Sequence, residues 1–203
     1  TNDYLTRGGN LTGIADGKAG TISFWFRRGA TADTYMLTSA ETTVLRFAAM
    51  FQSSKVTVYG RNAAASDILN LRTVNTFGIS PIWHHAIASW NLATGAGYLY
   101  IDNVSDLEAS PTLTDDTLDL AYSTGEWAIG ANTGGGQKMT GDLADLWFHT
   151  TYIDLSIAAN RAKFIDQNTL RPVPLGAKGE LPTGSQPLLY LGRDYANFHT
   201  NLG

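Results

Sequence analysis

The chain has 203 residues, 43% of them hydrophobic and only 16% charged, with a net charge of −4 at pH 7. That balance suits one globular sandwich with a sizeable core, or a sandwich plus an appendage, and excludes a disordered chain. The lack of cysteine excludes disulfides, thiolate chemistry and cysteine zinc sites, no Lys/Arg cluster longer than Arg27-Arg28 exists to grip a nucleic acid, and no apolar run approaches the ~20 residues of a membrane-spanning helix.

The opening TNDYLTRGG has neither an initiator Met nor a signal-peptide pattern, so it reads as a processed chain or a segment of something longer. GTISFWFRR (residues 20–28) then alternates Ile22, Phe24 and Phe26 with Ser23, Trp25 and Arg27, the period of a strand with one apolar face. Further strand signals cover residues 44–51, 55–61 and 68–74. The strongest lies at 83–103, where the runs 83–90 and 97–104 flank a Gly-bearing turn at 91–96, a β-hairpin pattern. A long acidic loop is expected at 105–124, followed by strands at 126–131 and 142–150, with the glycine tract NTGGG (132–136) as a flexible connection between them. One helix is expected over 157–165, capped by Ser156, with Ala158, Ala162 and Ile165 as a narrow apolar stripe. Beyond Asn168 the composition turns to proline and glycine (RPVPLGAKGELPTGSQP), which reads as an extended arm ending in a short strand at 188–191 and the stretch DYANFHTNLG. Period-2 runs at these spacings predict an all-β chain: a two-sheet antiparallel sandwich at 1–168 with one short helix, and a C-terminal arm at 169–203.

Four segments in order, GTISFWF (20–26), WHHAIASW (83–90), GYLYIDN (97–103) and WAIGANTGGGQKMTGDLADLWFH (127–149), resemble laminin-G-like domains of the concanavalin A-like lectin/glucanase superfamily. The resemblance implies a jelly-roll sandwich, a fold used mostly for recognition, although a fold by itself does not assign a function. The C-terminal PTGSQPLLYLG and DYANFHTNLG are similar to stretches that follow such domains in tailed-bacteriophage structural proteins.

Catalysis finds no support in the pattern. Glucanases of this superfamily carry Glu-x-Asp-x-x-Glu on one strand, which sets a nucleophile and an acid about 5 Å apart. None of the four glutamates here lies in such a motif, and Asp142 and Asp145, three residues apart on a strand, are expected on opposite faces. His84 and His85 are strand neighbours and so face opposite ways, unsuited to sharing a metal; His149 and His199 have no partner close in sequence. Asp115, Asp116 and Asp119, with Asp102 and Asn103 near, are the candidate calcium ligands, against the simpler reading of a solvated acidic loop. NTGGG lacks the Lys-Ser/Thr and helix of a phosphate loop. Six residues off the core phase, Trp25, Arg27, Tyr59, Arg61, Tyr98 and Tyr100, form candidate aromatic and cationic rows for stacking on glycans or on a partner, unless another layer covers them.

These readings converge on a non-enzymatic bacteriophage virion structural protein, a decoration, fibre or tail component displayed on the virion surface or otherwise extracellular. It would assemble with other virion proteins or copies of itself through its C-terminal arm. The alternative is a carbohydrate-binding module for host-surface or environmental glycans. No cofactor beyond the weak calcium candidates, no nucleic acid and no membrane partner is expected.

Overall fold

The computed structural model describes residues 4–41, 44–121, 125–192 and 200–203; the end of the long acidic loop (122–124), the start of DYANFHTNLG and His199 lie outside the described residues. The strands run in chain order β1 (Leu5–Arg7), β2 (Ala19–Arg28), β3 (Thr34–Glu41), β4 (Val44–Gln52), β5 (Lys55–Arg61), β6 (Asp67–Arg72), β7 (His84–Asn91), β8 (Ala96–Ile101), β9 (Val104–Ser105), β10 (Thr112–Leu113), β11 (Gly125–Ile129), β12 (Gly141–His149) and β13 (Leu189–Leu191), with a helical turn α1 (Ala158–Arg161) before β13. They form two antiparallel sheets, a seven-stranded one ordered β1-β11-β3-β4-β5-β6-β10 and a six-stranded one ordered β13-β12-β2-β7-β8-β9. This is the expected all-β sandwich.

Alternation along the strands builds the core between the sheets. Phe47, Ala49, Phe51, Val56, Val58 and Leu71 face inwards from the seven-stranded sheet, meeting Ile22, Phe24, Phe26, Trp90, Leu99 and Phe148 from the other. At its centre the Phe47 ring lies 5.6 Å from Trp90 and 5.2 Å from Phe148, close enough for favourable tilted aromatic contacts. Gly20 lets the Trp90 indole in, since a Cβ there would sit 2.4 Å from the ring. The hairpin turns at Ser53-Ser54 and Asp102-Asn103 have positive φ at both positions, the geometry that matches the right-handed strand twist. The expected hairpin is present as β7 and β8, starting one residue later, at His84, with Trp83 outside it.

The six-stranded sheet is buried on its second face as well. Ile87 and Trp147 on that face pack with Ile153, Leu155, Phe164, Leu175 and Tyr190 in a separate apolar layer supplied mostly by residues 150–190. The Phe164 ring meets Trp147 edge-on at 5.2 Å, and the Trp147 Nε1–H donates to the Gly179 carbonyl at 2.8 Å. Polar groups under the layer are paired: the Thr21 hydroxyl donates to the Thr151 carbonyl, and the Ile153 N–H donates to Ser89 Oγ.

Several expectations change. The Pro/Gly-rich segment read as an extended arm is docked on its own sheet through Leu175 and Tyr190, and β13 pairs antiparallel with β12. The helix shrinks from 157–165 to one turn, because the Ser156 hydroxyl donates to Asp154 Oδ1 (2.6 Å) and Ile157 stands at the cap without a side-chain bond. Burial there falls to Phe164 and Ile165, while Ala158 and Ala162 stay exposed. The acidic loop is broken by β9 and β10, by bridges from Thr73 to Leu107 and from Gly17 to Leu118, and by burial of Leu118 and Leu120. A register shift between Ala144 and Trp147, with Asp145 at φ 47°, interrupts the period of β12. Asp145 is buried, with its carboxylate 3.5 Å from the Tyr190 hydroxyl, on the side of Trp147. The glycine tract is not loose either: Asn132 Oδ1 accepts the Gly136 N–H at 2.7 Å.

Removing residues 169–203 deletes Leu175, Leu189, Tyr190 and Leu191 and uncovers Trp147. At about 1.5–3 kcal/mol per fully buried large side chain, the loss is comparable with a whole domain's stability. A chain ending at Asn168 is therefore expected to lose its cooperative thermal transition and to show red-shifted tryptophan emission. An unchanged melting profile would show that the docked segment is dispensable.

Candidate functional site

The six candidate row residues divide between the two sheets. Four belong to the six-stranded sheet, where they are already engaged. Trp25 is 6% exposed with its ring 5.0 Å from that of His85. Arg27 pairs with Asp142 and lies 5.4 Å from the centre of the Trp83 ring. Tyr98 stacks on Tyr152, and Tyr100 lies under the Arg161 guanidinium, 4.5 Å from its ring centre. Tyr98 and Tyr100 pack against the apolar layer of residues 150–190, so they form no open row.

Tyr59 and Arg61 lie beside a cleft on the outer face of the seven-stranded sheet. Its apolar residues, Ala48, Met50 and Tyr59 with Tyr35 and Leu45, all come from the sheet itself. Tyr35, Leu45, Met50 and Tyr59 line this cleft of about 360 Å³, whose polar wall includes Gln52, Arg61, Asp67, Asn70 and Gln137. A second hollow of about 270 Å³ adjoins it, shares Tyr35 and Leu45, and ends on Asn132, Thr133 and Gly134. Small residues make the trough: Thr38 and Ala48 are cross-strand partners, and Ala48 in turn faces Tyr59. Tyr35 and Asn70 are not singled out by the sequence alone. The segment TYMLTSAE (34–41) hides its strand period, because register shifts at Tyr35/Leu37 and Ser39/Ala40 break the alternation.

One corner of the cleft is fixed in advance. The Tyr59 hydroxyl donates to Asp67 Oδ1, the Arg61 Nε–H donates to the same oxygen at 2.8 Å, and the guanidinium lies 5.2 Å from the Tyr59 ring centre. The Tyr59 hydroxyl and the Arg61 guanidinium together hold the Asp67 carboxyl below its usual range, and burial with the Asp67 bond pushes the Tyr59 phenol up to about 12. Beside this corner, three polar atoms on the same face are buried without a hydrogen-bond partner: Thr57 Oγ1, Asn70 Oδ1 and Arg72 Nε. Thr57 pairs across strands with both Met50 and Arg72, and Asn70 pairs with Tyr59, so the three adjoin the trough floor. Buried donors and acceptors are normally satisfied, and the same unpartnered state recurs away from the trough at His85 Nδ1, Trp90 Nε1 and Trp127 Nε1.

The other sequence candidates serve the structure. Asp102 closes a turn, accepting from the His85 N–H at 2.8 Å and meeting His84 Nδ1 at 2.7 Å. His85 is fully buried with Nε2 against Ser23 Oγ at 2.8 Å, and desolvation pushes its pKa down to about 3. The three loop aspartates are spread over three partners: Asp115 pairs with Lys18 at 2.8 Å, Asp116 accepts from Asn62 Nδ2 at 2.7 Å, and Asp119 lies 3.2 Å from the Arg46 guanidinium. Among the described residues no group of three His, Asp or Glu side chains comes together to hold a metal.

The Laminin_G_3 family model, described as the concanavalin A-like lectin/glucanases superfamily, matches residues 1–154. No curated protein matches the chain. Among solved structures, a putative carbohydrate-binding protein from Bacteroides ovatus superposes with a TM-score of 0.59 at 11% identity, over 92% of this chain and 48% of that one. Domain 4 of AbnA, a GH43 extracellular arabinanase from Geobacillus stearothermophilus solved with arabinotriose, gives 0.54 at 13% identity, over 75% of this chain and 84% of that one. At such identities the likeness is one of fold.

The buried His85 carries a test of its own. It stays neutral in the folded chain, whereas the unfolded chain takes up a proton below about pH 6.5. Its contribution is therefore constant above pH 6.5 and falls as the pH drops from there towards 3, by about 1.4 kcal/mol per pH unit. Denaturant unfolding of His85→Gln is expected to show a flatter decline between pH 6.5 and 4.5. His149, also pushed down by burial, contributes in the same direction and leaves a residual slope. An identical slope in wild type and variant would contradict the assignment.

Proposed function

The chain belongs to the Laminin_G_3 family of the concanavalin A-like lectin/glucanases superfamily, and from that membership we propose that it is a non-enzymatic carbohydrate-binding module whose outer seven-stranded face holds the glycan. The observation that carries this is the trough on that face, with Tyr35 for stacking beside the unpartnered Asn70 Oδ1. Sugars present apolar C–H faces and hydroxyl edges, and a site with a rigid aromatic ring next to an unfilled hydrogen-bonding atom meets both. The carbohydrate-binding name of the Bacteroides ovatus neighbour and the arabinotriose in domain 4 of AbnA agree with this reading.

A non-catalytic role is supported by the state of the trough's carboxylates. Glycoside hydrolysis needs an acid raised towards neutral pH opposite a second carboxylate. Here Asp67 is held low by Tyr59 and Arg61, and Asp33 Oδ1 accepts the Ser53 N–H at 2.7 Å. The finer part of the proposal sets the module on a bacteriophage virion as a structural component, with virion proteins or further copies as neighbours. Its support is the resemblance of PTGSQPLLYLG to the stretches that follow such domains in tailed phages.

Glycan-array binding by the purified chain tests the main reading. Retention of at least one glycan class is expected, unchanged by EDTA, with affinity falling about tenfold or more in Tyr35→Ala and in Asn70→Ala while both variants keep the wild-type circular dichroism. Glycan binding that survives both substitutions would move the site elsewhere, and turnover of a polysaccharide would end the non-enzymatic reading.

A further inference from the structure

The ionisable groups in the trough say what kind of glycan it accepts, an inference that rests on the glycan-binding reading above. The cleft is lined by two carboxylates, Asp33 and Asp67, against one guanidinium, Arg61. That guanidinium is already spent on Asp67, at 2.8 Å, and on the Tyr59 ring. At the margin Lys55 pairs with Glu108 and holds its carboxyl below the usual range, with Arg72 adding to the same effect. An anionic sugar entering here would meet two lining carboxylates against one guanidinium that is already paired with one of them, and like charges repel. The remaining wall is made of neutral side chains that donate and accept without charge: Gln52, Asn70, Gln137, and Asn132 and Thr133 in the second hollow.

Shape adds a second constraint. The two hollows run side by side from Asn70 on β6, across Tyr59 on β5 and Met50 on β4, to Tyr35 on β3, and then to the 132–134 turn. Crossing β6 to β3 alone spans about 14 Å at the usual strand spacing, more than one sugar ring covers. Tyr35 stands between the hollows and lines both. We infer that the trough selects an uncharged glycan chain lying across the strands, with Tyr35 at the boundary between two subsites and the Asn132–Gly134 turn closing the second. An isolated terminal sugar fills only part of it.

Isothermal titration at low salt tests this with neutral oligomers of glucose, mannose, galactose and arabinose, one to six units long, beside oligogalacturonates and sialylated oligosaccharides. The expected result is a neutral class whose affinity rises tenfold or more from one unit to three or four and then levels, with acidic chains weaker or silent. Thr133→Trp, which fills the second hollow from the 132–134 turn, should remove the advantage of longer chains. Preferential binding of acidic chains, affinity independent of length, or an unaltered length series in Thr133→Trp would each overturn the inference while leaving the glycan-binding reading in place. Failure of every glycan to bind would instead overturn that reading, and this inference with it.

Discussion

Burial of both faces of the six-stranded sheet governs the rest of the molecule. An antiparallel sheet needs only one covered face, and the other is usually solvated. Here Ile87 and Trp147 make the second face apolar, and a layer of Ile153, Leu155, Phe164, Leu175 and Tyr190 is laid over it. The hydroxyls among them, Thr21 and Ser89, bond to each other at 2.9 Å, and that layer adds the Thr151 carbonyl and the Ile153 N–H. The proline and glycine of residues 171–187, which in isolation describe a spacer, let an irregular chain follow the sheet surface, and one edge of that sheet is then closed by β13. The cleft lies on the outer face of the other, seven-stranded sheet.

The difference between the two outer faces is chemical as well as steric. The covered face carries large apolar groups and polar groups already paired inside the protein. The outer face of the seven-stranded sheet carries Thr38, Ala48 and Thr57, with tyrosines and amides beside them. Thr57 Oγ1 and Asn70 Oδ1 are buried on this face without partners, and each unmade bond costs about 1–3 kcal/mol. The Tyr59–Asp67–Arg61 corner, by contrast, is complete in the free molecule. Its side chains lose little freedom when a ligand arrives, which favours affinity over adaptability.

Much of the scaffold was legible because it depends on local period. Ile22, Phe24 and Phe26 were assigned to the core by alternation alone, and β7 and β8 followed from their turn and their aliphatic runs. Failures arose where a non-local contact decides. Trp25, Tyr98 and Tyr100 sit off the core phase, as read, but phase cannot reveal that residues 150–190 return to pack over that sheet. Ser156 has the composition of a helix cap, yet its hydroxyl is taken by Asp154 two residues earlier. β3 escaped notice because a bulge at Tyr35–Leu37 shifts its register and its outer face is nearly neutral in character. Of the trough, only Tyr59 and Arg61 were visible; Tyr35 and Asn70 belong to it through strand order, which the sequence does not spell out.

The placement of tryptophan has a spectroscopic consequence. Trp25, Trp90, Trp127 and Trp147 are all buried and Trp83 stands outside the trough, whose aromatic lining is tyrosine. Intrinsic tryptophan emission therefore reports on the integrity of the two apolar layers and is nearly blind to occupancy of the trough. The molecule thus separates two optical channels, indole for folding and phenol for recognition, so that a ligand could be followed by tyrosine absorbance in the same sample whose stability is read at longer wavelength.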